Sequence, residues 1–115
     1  MHPIQKAKED YDIAISKVED KNIKKHLRIL RSCLIPNGIF HKFFTQDDGL
    51  IGFSWANSKK QDEGDIIFTI TEYFGVCEVA ALNGLMLAEP RIRFNIGDFA
   101  KTFEACELIK KLLDR

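Results

Sequence analysis

Cysteine is scarce in this chain: Cys33, Cys77 and Cys106 are odd in number and far apart. No CxxC and no Cys/His pair has the spacing of a zinc site, so no metal is expected. The thiols read as reduced cysteines of a cytoplasmic protein. Long apolar runs are also missing, and no stretch approaches the roughly 20 residues that span a bilayer. The first residues, MHPIQKAKEDYD, are charged and lack the apolar segment of a signal peptide. Neither charge sign is in excess: 17 basic residues balance 17 acidic ones, for a formal net charge of zero. Nothing global therefore draws nucleic acid or anionic lipid, and any such pull must be local. Neither GxGxxG nor GxxxxGK[ST] occurs, so no phosphate loop and no cofactor is implied. Internal repeats, low-complexity segments and linkers are absent too.

What is present is an ordinary globular composition, 45% hydrophobic and 30% charged over 115 residues. That length supports one core and one domain, residues 1–115. Ile4, Ala7, Tyr11, Ala14, Ile15 and Val18 recur at helical spacing, with Pro3 suited to a first turn. Asp20 can cap a second helix whose apolar stripe is Ile23, Leu27, Leu30 and Leu34. No Gly or Pro separates the two, so one long helix over residues 3–34 is the alternative. Ile35-Pro36-Asn37-Gly38 ends the helical region.

The rest of the chain is organised around Asp65 to Ile96. Ile66, Phe68 and Ile70 alternate with Ile67, Thr69 and Thr71; Ile92, Phe94 and Ile96 alternate with Arg91, Arg93 and Asn95. Period-2 alternation means strands with one buried face. Asn83-Gly84 is the strongest hairpin signal, with both residues placed at positive φ between strands Val76–Leu82 and Leu85–Glu89. Strands are also expected at Ile39–Phe44, Leu50–Ala56, Ile66–Tyr73 and Arg91–Ile96. Thr45–Gly49 and Asn57–Gly64 read as loops. Asp98 caps a last helix with apolar face Phe99, Phe103, Cys106, Ile109 and Leu113. The order predicts an α+β fold: an N-terminal helical pair, an antiparallel five- or six-stranded meander, a C-terminal helix, and helices mostly on one sheet face.

Candidate chemistry is sparse. A Cys33/His41 nucleophile pair lacks a flanking motif, and Cys33 lies beside an apolar stripe. Asp47-Asp48 and Asp62-Glu63-Asp65 match no calcium loop and suit turns. Gly97-Asp98 opens a helix N-terminus, where an acidic cap opposes anion binding. No catalytic residue is assigned. Two surfaces stand out. Lys21, Lys24, Lys25, Arg28 and Arg31 line one face of the second helix, which could meet a phosphate backbone, an acidic protein or only solvent. If the Ile/Phe positions point inward, Thr69, Thr71, Tyr73, Arg91 and Arg93 point outward, with Ile67 and Glu78 beside them. Tyr and Arg on such a face are interface residue types. The partner-binding candidates are thus Thr71, Tyr73, Glu78, Arg91 and Arg93 on the sheet, and Lys24, Arg28 and Arg31 on the helix.

In size, α+β build and want of a chemical site, the chain resembles the small cytoplasmic immunity proteins of bacterial toxin systems. The resemblance is architectural and carries no residue motif. It implies a non-enzymatic, cofactor-free protein that binds and blocks one cognate toxin domain, with no nucleic-acid or membrane partner, as a monomer or weak dimer. Immunity proteins against basic nucleases are often acidic, whereas this chain is neutral, so recognition would be local. A chaperone or adaptor is the nearest alternative. A small-ligand or enzymatic domain would need a pocket lined by Phe40, Phe44, Trp55 and Phe103. Nucleic-acid binding would use the basic helix.

Overall fold

The computed structural model describes residues 2–57, 64–83, 86–87 and 90–113. Its order is α1 (Pro3–Lys17), α2 (Lys21–Leu34), a 3₁₀ turn (Ile35–Asn37), β1 (Phe43–Asp47), β2 (Leu50–Trp55), β3 (Ile66–Thr71), β4 (Val76–Asn83), β5 (Met86–Leu87), β6 (Ile92–Asn95) and α3 (Phe99–Leu112). This is the expected α+β arrangement, and the helical pair is two helices. The break falls at Val18, which turns extended, and Asp20 restarts the helix. The Asp20 carboxylate accepts the N–H groups of Asn22 at 2.8 Å and Ile23 at 3.0 Å, satisfying donors that no helical carbonyl can reach.

The strands form one antiparallel sheet in the order β1-β2-β3-β4. The long β4 carries two neighbours on its far side, β6 along Val76–Val79 and the short β5 at Leu82–Asn83. Alternation decides the faces. Ile51, Phe53, Trp55, Ile66, Phe68, Ile70, Cys77, Val79 and Phe94 are buried on the inner side, together with α1 and α2 residues Tyr11, Ile23, Leu27, Leu30 and Leu34. Tyr11 stacks on Phe53 with ring centroids 4.4 Å apart, which pins α1 to β2. The helix α3 packs against α2, where His26 meets Phe99 at 4.8 Å.

Several expected boundaries move. The strand placed at Ile39–Phe44 is Phe43–Asp47, and the loop placed at Thr45–Gly49 shrinks to Asp48-Gly49 because Asp47 pairs with Leu50. Gly49, at φ 78, closes so tight a turn that three would-be loop residues join the ladder. Strand β3 stops at Thr71, and Glu72–Gly75 make the turn to β4. Asn83, expected in a turn, belongs to β4 and pairs with Met86; Gly84 and Leu85 lie outside the described residues, as do 58–63 of the polar loop. The buried face of α3 is Thr102, Ala105, Cys106 and Ile109, whereas Phe103 is exposed. Burial of Thr102 is affordable because its hydroxyl has a partner in His26.

Candidate protein-binding surface

Among the described residues, the helices pack on the inner face of the sheet and none covers its outer face. Across five strands, Thr45, Gly52, Thr69, Glu78 and Arg93 stand in one register row. Arg93 Nε lies 3.1 Å from Glu78 Oε1, a cross-strand ion pair at the β6 end. At the other end the row is broken by Gly52. Having no side chain, Gly52 floors an apolar groove of about 170 Å³ walled by Phe43, Thr45, Leu50, Ser54, Ile67 and Thr69. Phe43 is 61% exposed, a large apolar side chain held in water at the sheet edge. The Lys42 ammonium sits 5.3 Å from its ring centroid and 3.7 Å from the Asp65 carboxylate. The backbone of Gly52 is unstrained, and an added Cβ would rest 3.7 Å from Thr69 Cγ2, an ordinary contact. Other residues would therefore fit at position 52, and each would fill the groove.

The expected sheet residues separate into a face and a tip. Thr71, Glu78 and Arg93 lie on the outer face, and exposed Arg91 leads into β6 with its N–H on Val79 O at 2.7 Å. Tyr73 is not on the face. It occupies the β3–β4 turn, 88% exposed, edge-to-face with Phe74 at 5.2 Å. Gly75, at φ 68, and the Gly75 N–H to Glu72 O hydrogen bond of 3.1 Å hold this aromatic tip. Phe43, Gly52 and Phe74 were missed by sequence reasoning. The signal available was a glycine between β-branched and aromatic strand residues, which marks a close approach or a gap.

The basic stripe of α2 lies elsewhere. Its helix turns Ile23, Leu27, Leu30 and Leu34 to the core, so Lys24, Arg28 and Arg31 face away from the sheet. Arg31 lies 3.2 Å from Asp12 of α1, and Lys25 lies 4.2 Å from the Phe99 ring centroid. The two candidate surfaces are on opposite sides of the molecule and cannot form one compact site.

A second depression, about 250 Å³, opens between the α1–α2 link and the β1–β2 turn. Its rim carries Glu19, Asp20, Asp47, Asp48 and Glu72 against Lys17 alone. Asp20 is already engaged as a helix cap, and Asp48-Gly49 is the turn itself. The pocket expected from Phe40, Phe44, Trp55 and Phe103 does not form: Trp55 is 1% exposed in the core and Phe103 is 52% exposed outside it. The Cys33/His41 pair does not form either. His41 Nε2 is 2.8 Å from Asp10 Oδ2, and Cys33 is a free, half-exposed thiol at the edge of the core. Among the described residues, no three His, Cys, Asp or Glu side chains are set to hold a metal ion. No helix among them is long and apolar enough to cross a membrane.

No family model matches the chain, and neither a curated protein nor a solved structure is significantly similar to it.

Proposed function

We propose that the chain is a protein-binding module of the immunity type, which binds one cognate toxin domain stoichiometrically and blocks it without chemistry of its own. The observation that carries this reading is the uncovered outer sheet face, with an apolar groove floored by Gly52 and edged by exposed Phe43. The fitting partner presents one apolar side chain to that groove. Polar groups around that side chain meet Thr69, Thr71 and the Glu78–Arg93 pair. A buried apolar anchor inside a polar rim is the arrangement that concentrates binding energy. The imidazoles of His41 and His26 are shielded from solvent and so from a substrate: the His41 side chain is 1% exposed beside Asp10, and His26 is buried against Thr102 and Gly97.

Hydrogen exchange of the protein alone and with its partner tests the reading. The partner is the one identified by native mass spectrometry of the protein from its source cell. Slowed exchange is expected in β1, β2 and β3, while α2 is unchanged. Protection confined to α2, or turnover of a substrate at enzyme-like rates, contradicts it.

A further inference from the structure

Strand β1 ends the sheet, and no described strand pairs with its other side. Two hydrogen bonds fix which of its backbone groups stay open. Glu72 donates its N–H to Gly49 O at 2.8 Å, so Ile51, Phe53 and Trp55 turn their N–H and C=O groups toward β3. Leu50, Gly52 and Ser54 therefore turn theirs toward β1, where they meet Asp47, Thr45 and Phe43. The Lys42 N–H, donated to Ser54 O at 2.6 Å, agrees with that phase. The N–H and C=O groups of Phe44 and Gln46 are left pointing out along the open edge. Groups so placed are a template for another strand. The charges around them have a direction. Lys42 precedes the strand, and Asp47-Asp48 close it. A basic start and an acidic end are complementary to the same strand running the opposite way. Lys42 is free to take part: its ammonium is 3.7 Å from the Asp65 carboxylate, and its side chain is half-exposed.

We infer that a second copy of this chain adds its β1 to this edge, antiparallel, about a two-fold axis through Thr45. In that register Phe44 of each copy stands opposite Gln46 of the other, and each such pair exchanges both backbone hydrogen bonds. Thr45 meets Thr45 of the second copy on the axis, in a non-hydrogen-bonded pair, where side chains approach most closely. Lys42 of each copy lies across from Asp48 of the other, and the symmetry makes this match twice. Sliding the strands by two residues either way keeps backbone bonding but sets Lys42 opposite Gln46 or Leu50, and the charge match is lost. Exposed Phe43 gains the neighbouring strand beside its ring. The two outer faces become one continuous face that carries both Gly52 grooves, so the dimer stands or falls independently of what the groove binds. A ladder of five residues buries little surface, below the roughly 1,200 Å² of a standard interface, so the association is weak and follows concentration.

The test uses the full chain alone, kept reduced. Sedimentation equilibrium from about 10 μM to about 1 mM spans the affinities expected of so small a contact. The average mass should rise from that of the monomer toward that of a dimer. Amide exchange followed by NMR at both ends of the range should slow with concentration at Phe44 and Gln46, and change little at Thr45, whose N–H is bonded within the chain. Thr45→Lys sets like charges across the axis at an exposed position, so it should stay monomeric with a thermal midpoint close to wild type. A monomer throughout the range would overturn the inference. So would a dimer in which exchange at Phe44 and Gln46 ignores concentration, because its contact then lies elsewhere. The wild-type exchange decides between these outcomes even if the variant folds poorly.

Discussion

His26 of α2 accepts the backbone N–H of Gly97 through Nε2 at 2.8 Å, at a site where the imidazole is wholly shielded from solvent. Because Nε2 is an acceptor, the ring proton sits on Nδ1 and is donated to the Thr102 hydroxyl. One neutral tautomer thus joins α2, the β6–α3 corner and α3. A second proton on Nε2 would point at the Gly97 N–H and break that joint. Burial pushes the His26 pKa below its ordinary 6.5, and the nearby Asp98 and Asp20 carboxylates offset part of the shift. The Lys25 ammonium lies over the Phe99 ring, which itself packs on His26.

The consequence for stability has a definite sign. Above pH 6.5 the imidazole is neutral folded and unfolded, and its contribution is fully present. Below that, the unfolded chain takes a proton that the folded chain refuses. Stability therefore falls as pH drops through 6.5 toward the lower folded pKa, and this group adds no further loss below it. Urea unfolding at a series of pH values should show the fall in wild type. In His26→Gln the slope between pH 7 and pH 5.5 should be shallower, because this imidazole no longer contributes (a window of about one pH unit either side of an ordinary histidine). Equal slopes would place the ring in contact with water.

Gly64 should be the least replaceable glycine of the described chain. It adopts φ +65, and a Cβ there would stand 1.9 Å from the Leu82 carbonyl oxygen, in backbone that cannot swing aside. Gly38 adopts φ +73 with open space around it. Gly64→Ala should cost more than about 3 kcal/mol, whereas Gly38→Ala should cost about 1 kcal/mol, the backbone conformation alone. Thermal or urea unfolding of the two variants compares them directly. Equal losses would mean that the Gly64–Leu82 approach is not the constraint.

Native alkylation should rank the thiols. Cys33 is half-exposed and should react first with N-ethylmaleimide. Burial pushes the Cys77 thiol up to about 12 and raises that of Cys106 further, so both should label only as the protein unfolds. Mass mapping against time gives the order. Rapid labelling of Cys106 before Cys33 would mean that α3 does not pack on α2 through this face.

Much of the fold was legible from the chain. Two-residue alternation at Ile66–Thr71 and Ile92–Asn95 fixed the inner face, and Asp20 signalled the α1–α2 break even without glycine or proline between the helices. What stayed hidden depended on partners far away in sequence. Hydrophobicity alone assigns Phe103 to the core and Thr102 to water. The reverse holds because His26, 76 positions earlier, satisfies the Thr102 hydroxyl. A Thr102, Ala105, Cys106, Ile109 stripe was available as a signal, but nothing local favours it over the Phe99/Phe103 stripe. Of the surface, Thr71, Glu78 and Arg93 were placed by alternation alone. Tyr73 was misplaced onto the face, because the turn that lifts it to the tip depends on Gly75 at φ 68. The groove escaped because it is made by a missing side chain.

The proposed interface is the outer sheet face, with the Gly52 groove as the seat of the partner's apolar anchor. Its most direct measurement is the partner's affinity for Gly52→Leu beside that for Lys24→Glu with Arg28→Glu. The leucine points into open groove, its Cβ at ordinary contact distance from Thr69, so thermal unfolding should stay close to wild type. Gly52→Leu should weaken binding by more than about 30-fold, the scale of a blocked anchor pocket, while the helix pair should change it by less than about 3-fold. Undiminished binding by Gly52→Leu, with loss in the helix variant, would rule out the groove and move the interface to α2.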